Sequence, residues 1–358
     1  PVALIGHSMA SDIIVRAALA NPRIGPLIAI SMFSQAVDAV HPPDLLIISG
    51  QWETRLRAEA LRAVQLIDPD AGENRTVTGP GSIRRAVVAP YVEHVGVLYS
   101  ATALRETQAW LDRAYAREPG SKASASTGLW IALLLAGILL LGRQLFSAPK
   151  PRAAATSPSG RSFWIVLALP AIAAPLIAVR VDTDILPVLV ADYLALHLLI
   201  YGVLQGLVLS AAGFRLARLH LAPAALLVLF CLCVFGLALD RYVASFIPTG
   251  TRLLVFAGVL PGALAFMLCD TLMGTGAAIW RRLVLRIGFL TSLIIAVMLD
   301  PERLMFVLLI LPVILLYFAV FATIARPVTL RAGASTTGLA LGIVLAWSIA
   351  AAFPVFAP

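Results

Sequence analysis

The chain is 358 residues long, 60% of them hydrophobic and 13% charged, against about 45–50% and about 25% in an ordinary soluble protein. With a mean hydropathy of +0.93, this composition excludes a purely soluble chain, disorder and a collagen-like repeat. The net charge of +8 is uneven, since residues 1–120 carry 11 Lys/Arg against 12 Asp/Glu and residues 121–358 carry 16 against 7; the basic excess lies in the apolar part, where cytoplasmic loops explain it without nucleic acid.

The chain opens on Pro1 and a strand-like run, so it reads as a processed piece that lacks upstream sequence. Residues 2–5, 27–31, 45–49 and 86–89 read as strands, and residues 11–19, 55–66 and 103–115 as helices between them. That alternation is the pattern of an α/β domain, over residues 1–117. Residues 118–126, rich in Ser and Ala, read as a flexible linker.

Residues 127–358 read as an all-α polytopic membrane bundle. A span needs about 20 apolar residues, with a range of roughly 17–25, and eight runs qualify: about 127–146, 163–179, 185–209, 221–239, 252–273, 283–299, 304–324 and 337–357. Internal prolines such as Pro170, Pro175, Pro261 and Pro312 are tolerated better in lipid than in water. Cys231, Cys233 and Cys269 all lie in these runs, which leaves no disulfide framework. The loops after the odd-numbered spans hold Arg143, Lys150, Arg152, Arg161, Arg215, Arg218, Arg281, Arg282, Arg286, Arg326 and Arg331 with no acid, whereas the other side is balanced. By the positive-inside rule the basic loops are cytoplasmic, which puts the amino-terminal domain on the periplasmic side of a cell inner membrane.

Gly6-His7-Ser8-Met9-Ala10 sits between a strand and a helix, the context of a G-x-S-x-G nucleophile elbow with Ala in the last place. Small residues suit it because the turn is tight and the helix packs straight back on the sheet. Two further residues fall in order. Glu53 lies three residues beyond Gly50, at the end of an apolar strand, and His94 lies in the loop after the last strand. Ser8, Glu53 and His94 thus follow the Ser…Asp/Glu…His order of a hydrolase triad. Asp44, Asp68 and Asp70 are alternative acids for which turn or capping roles also suffice. Glu93 is expected to face solvent, His7 to line the pocket, and His41 to be a loop residue.

These residues, with Val92-Glu93-His94-Val95-Gly96-Val97-Leu98-Tyr99-Ser100, then Leu104-Arg105-Glu106 and Trp110-Leu111-Asp112, resemble the α/β-hydrolase superfamily. More narrowly they resemble bacterial membrane-anchored α/β hydrolases with a multi-span carboxy-terminal region. The resemblance covers residues 1–117, as the carboxy-terminal half of that fold. It implies a serine nucleophile at Ser8, a base at His94, an acid at Glu53 and an oxyanion donor in the Met9 backbone N–H. The second donor of this fold comes from an earlier strand, so the chain by itself is expected to be inactive. Only residues 32–43 occupy the place where a cap is often inserted, which argues against a large lid there.

In the membrane part, Tyr193, His197, Tyr201 and Gln205 recur every four residues beside Asp192 and form one polar stripe. It is read either as interhelical packing or as a site or ion path, with packing favoured. Asp270, near the end of its span, is expected to be solvated. Asp182 and Asp184, two loop carboxylates, are insufficient for a metal site. No internal repeat of the transporter kind stands out. The function expected is a membrane-anchored serine hydrolase of the esterase, lipase or amidase type. It acts on a small or amphiphilic acyl substrate, with the lipid bilayer as partner and no cofactor, no metal and no nucleic acid. The alternative is a transporter or sensor whose domain binds a ligand without turnover. Neither substrate nor oligomeric state is legible.

Overall fold

A computed structural model describes residues 1–118, 127–147, 158, 160–182, 185–186, 188 and 190–352. The chain divides into two compact units, Pro1–Thr127 and Gly128–Pro358.

The first unit is built on a five-stranded mixed sheet in the order β1-β2-β3-β5-β4. The strands are β1 (Val2–His7), β2 (Ile24–Ile30), β3 (Asp44–Gly50), β4 (Thr76–Gly79) and β5 (Ser82–Ala89). The first three and β5 are mutually parallel, and β4 returns antiparallel on β5. Period-two alternation divides the side chains between two cores. Leu27, Ala29, Leu45 and Ile47 pack with Ile14 and Val15 of α1 (Met9–Ala20) and with Ala60, Ala63 and Val64 of α2 (Thr54–Gln65). On the other face Ile28, Ile30, Leu46 and Ile48 pack with Ala103 and Trp110 of α3 (Ala101–Ala114). Ser100 caps α3, its hydroxyl accepting from the Thr102 and Ala103 amides. The result is an α/β unit with helices on both sheet faces. Residues 76–79 were not among the expected strands.

Arg84 of β5 is fully buried. Its guanidinium donates to the carbonyls of Ala63 at 2.9 Å, His41 at 3.0 Å and Asp38, so it ties α2 to the loop between β2 and β3. Burial pushes its pKa down, and the carbonyl oxygens offset that loss of hydration.

Parallel register brings the loops that carry the candidate residues to one edge. His7 aligns with Ile30, Ile30 with Ile48, and Gly50 with Ala89. The parallel strands therefore end level, and the residues that follow them, Ser8, Ser31, Glu53 and His94, emerge on one rim.

Among its described residues the second unit holds eight helical segments long and apolar enough to cross a membrane: Gly128–Leu145, Arg161–Ala178, Ala191–Ala211, Leu221–Tyr242, Arg252–Gly274, Ile279–Leu299, Pro301–Ala332 and Ala334–Ala352. They are compatible with an integral multi-pass protein in a lipid bilayer. Burial is graded: 83% of the last segment is buried against its neighbours and only 6% of the first. The last segment packs closely because it is rich in small residues. A Cβ on Gly338 would lie 2.5 Å from the Thr271 hydroxyl, and one on Gly342 2.8 Å from Leu264, a small-xxx-small approach of two helices.

Several span boundaries are corrected. The sixth helix starts at Ile279 rather than 283, and the seventh runs over Pro301–Ala332 rather than 304–324. Arg281, Arg282, Arg286, Arg326 and Arg331 therefore belong to helices and not to loops. Hydropathy falls where charge begins, but the helical ladder continues because long arginine stems lie along apolar neighbours. The third helix starts at Ala191, not 185. Lys150, Arg152, Asp184 and residues 119–126 of the expected linker lie outside the described residues.

Candidate active site

Ser8 occupies the turn between β1 and α1 with φ 56° and ψ −123°. This is a left-handed conformation for a non-glycine residue, of a kind that costs on the order of 1–3 kcal/mol. The turn is held from several sides. The Ser8 amide donates to the Ile30 carbonyl at 2.9 Å, and the Ser8 carbonyl accepts from the Ser11 amide at 2.9 Å and from the Ser11 hydroxyl at 2.5 Å. Ser11 Oγ in turn accepts from the Phe33 amide at 3.1 Å. A Cβ on Gly6 would lie 2.6 Å from the Ala10 carbonyl oxygen, so only glycine allows the helix to fold back this closely. Met9, at the first position of α1, has no intrahelical acceptor for its N–H. Ala10 continues that helix.

The structure brings Ser8, His94 and Glu53 together. Ser8 Oγ is 2.9 Å from His94 Nε2, and His94 Nδ1 is 2.5 Å from Glu53 Oε1. The other carboxylate oxygen, Glu53 Oε2, accepts from the Ser31 hydroxyl at 2.8 Å and the Gly50 amide at 2.5 Å. With the carboxylate as acceptor, Nδ1 carries the proton and Nε2 is left to accept the Ser8 hydroxyl. Glu53 is buried and the His94 side chain is 43% exposed, so the chain of hydrogen bonds runs from the interior to an accessible serine.

The loop that carries His94 is fixed on both sides. The Val92 carbonyl accepts from the Trp52 amide at 3.2 Å, and a Cβ on Gly50 would come within 2.6 Å of that same oxygen. His7 Nε2 lies 2.8 Å from the His94 carbonyl, with the two rings 4.7 Å apart. His7 thus braces the loop and is absent from the residues lining the cleft beside Ser8. Glu93 is exposed but engaged, accepting from the Val95 and Gly96 amides at 2.8 and 2.7 Å. Those bonds hold its carboxyl below the usual carboxylate range.

The alternative acids are elsewhere. Asp44, at the opposite end of β3 from Gly50, pairs with Arg113 at 2.6 Å. Asp68 accepts from the Asp70 amide at 3.1 Å in a turn, and His41 pairs with Asp38 at 3.5 Å. Two contributors escaped the sequence reading. Ser31 follows β2 as Ser8 follows β1, so strand-end position was its available signal; Ser11 had none beyond lying three residues after Ser8.

A cleft of about 480 Å³ opens over Ser8 and His94. Met9, Phe33 and Leu56 give it an apolar side, and Asp12 and Arg16, paired at 2.7 Å, give it a charged one. Hydrogen bonds from Arg16 and from Ser34 lower the Asp12 pKa, so this side of the cleft keeps its carboxylate through the neutral range and loses it only under acid. Met9 is 68% exposed and Phe33 61%, leaving the apolar side open to solvent.

In the membrane unit the polar stripe is buried along one face of the third helix. His197 is fully buried, with Nδ1 2.9 Å from the Tyr193 hydroxyl and Nε2 2.8 Å from Ser292 Oγ on the sixth helix. Tyr201 and Gln205 follow on the same face, and Asp192 accepts from the Leu186 amide at 2.9 Å. Asp270 is buried, not solvated as expected, with Arg286 at 4.0 Å. Asp182 pairs with Arg303 at 3.0 Å. Among the described residues no group of three or more His, Cys, Asp or Glu side chains is placed to hold a metal ion.

No protein-family model, curated protein or solved structure matches the chain. The functional reading therefore rests on geometry and chemistry alone.

Proposed function

We propose that the protein is a membrane-integrated serine hydrolase of the α/β-hydrolase type, cleaving an ester, thioester or amide through an acyl-enzyme. The observation that carries this reading is the Ser8–His94–Glu53 chain, at 2.9 and 2.5 Å, on a strained strand-to-helix turn open to a cleft. His94 Nε2 takes the proton as Ser8 Oγ attacks the acyl carbonyl, then returns it to the leaving group. Glu53 holds the imidazole tautomer and stabilises the imidazolium. The Met9 N–H, unused by α1, donates to the developing oxyanion. Water, activated by the same histidine, releases the acyl group.

The apolar side formed by Met9, Phe33 and Leu56 suits an acyl chain, and eight apolar helices in the same chain make an amphiphilic substrate a natural fit. The clustering of arginines on one side of the spans supports, by the positive-inside rule, a catalytic unit outside the cytoplasm, in the periplasm of a bacterial inner-membrane protein. Transport or sensing draws support from the number of spans, but not from His197, whose nitrogens both have partners. The test is labelling of the full-length gene product in intact spheroplasts with a membrane-impermeant fluorophosphonate. Labelling lost in Ser8→Ala supports both the nucleophile and its placement. Labelling only after permeabilisation inverts the topology, and none in either condition overturns the hydrolase reading.

A further inference from the structure

The membrane unit contains a second polar cavity, of about 210 Å³, between the end of the fifth helix, the start of the sixth and the latter part of the seventh. Asp270, Arg282, Arg286 and Arg326 line it. Three guanidinium groups thus face one carboxylate. Asp270 and Arg286 are 4.0 Å apart, while Arg282 and Arg326 have no acidic partner among the described residues. The Nε atoms of Arg282 and Arg286 are buried without any hydrogen-bond partner.

Arginines that serve only to orient a helix extend into water or headgroups, where their donors are hydrated. Here three of them line one cavity that holds a single carboxylate, an excess of positive charge that an anionic acceptor would offset. A phosphate oxyanion meets that need, because guanidinium forks match its geometry and charge. The surroundings reinforce the charge. An adjoining cavity of about 310 Å³, lined by Arg215, Arg218, His220 and Arg331, shares Thr275 and Thr329 with the first.

We propose that the Arg282–Arg286–Arg326 cavity binds a phosphate-bearing anion, with Asp270 as the internal counter-ion it competes against. The lining comes from the end of the fifth helix, the start of the sixth and the latter part of the seventh, so the phosphate belongs to a lipid headgroup or to a soluble ion. It is independent of the chemistry at Ser8.

The experiment uses the full-length gene product. Thermal unfolding in detergent is followed against inorganic phosphate at constant ionic strength, and in phosphatidylcholine nanodiscs with and without phosphatidic acid. Stabilisation by phosphate supports a soluble anion, and stabilisation by phosphatidic acid alone supports a headgroup. Arg326→Gln, at an exposed position, is expected to weaken binding of the effective ligand about tenfold and to leave Ser8 labelling intact. Asp270→Asn is expected to strengthen it, the opposite sign from a merely structural loss. No stabilisation by either ligand, or the same response in Arg326→Gln as in the parent, overturns the site.

Discussion

His94 and His197 each bridge two side chains through short hydrogen bonds, yet they hold opposite tautomers in opposite settings. At His94 the carboxylate fixes the proton on Nδ1 and leaves Nε2 to face a hydroxyl. At His197 the Ser292 hydroxyl already donates to the Phe289 carbonyl at 2.7 Å, so it accepts from Nε2–H, and Nδ1 accepts from Tyr193. The first array has a charged end, a strained serine and a cleft; the second is neutral, saturated and sealed. A histidine between two oxygen partners is thus no sign of chemistry by itself. Charge at one end and access at the other separate a proton relay from a packing device.

Replacing the proposed nucleophile or base breaks this comparison most severely. In the full-length gene product, Ser8→Ala or His94→Ala is expected to lower the rate of acyl transfer by at least about 10³-fold, measured by turnover of an activated ester in membranes. Ser8→Ala also abolishes fluorophosphonate labelling. Retained turnover in Ser8→Ala would dissolve the distinction between the two arrays.

Moving the array without touching it comes next. A Cβ at Gly50 would stand 2.6 Å from the Val92 oxygen, so Gly50→Ala displaces the segment that presents His94. Misplacement on the order of 1 Å costs about 10²-fold, and the expected fall in kcat is about 10- to 10²-fold with an unchanged far-ultraviolet circular dichroism spectrum. Unchanged kcat would show that the loop has room to adjust.

The reach of sequence reasoning follows from how local each signal is. Ser8, Glu53 and His94 were legible because each lies just past a strand, in an order that few folds share. Ser31 was not, since its bond to Glu53 depends on lateral register between β2 and β3. β4 was missed because Thr76–Gly79 is a short edge strand with only Val77 buried, too little apolar periodicity to register. Eight spans were legible as apolar runs, but their ends were misplaced where helices continue into arginines. Asp270 was misread for a related reason: position near the end of a span says nothing about Arg286 and the seventh helix closing over it.

Trimming the support of the acid has a smaller effect. Ser31→Ala removes one of two donors to Glu53 Oε2 and leaves the Gly50 amide in place. A hydrogen bond to a carboxylate contributes on the order of 1 kcal/mol or more, so kcat is expected to drop about fivefold with KM unchanged. A change in KM alone would assign Ser31 to substrate binding.

The smallest catalytic effect is expected at the other histidine, which makes it the sharpest check on the comparison. His197→Leu deprives Tyr193 of its partner, while Ser292 keeps its bond to the Phe289 carbonyl. One new orphan hydroxyl in a membrane interior corresponds to about 0.6–2 kcal/mol, since side-chain hydrogen bonds between membrane helices are modest. Thermal unfolding of the membrane unit should therefore shift down by a few degrees, while Ser8 labelling and ester turnover remain at the parental level. Loss of turnover in His197→Leu without loss of folded protein would mean that the sealed array works with the open one. The membrane unit would then have a part in the proposed chemistry.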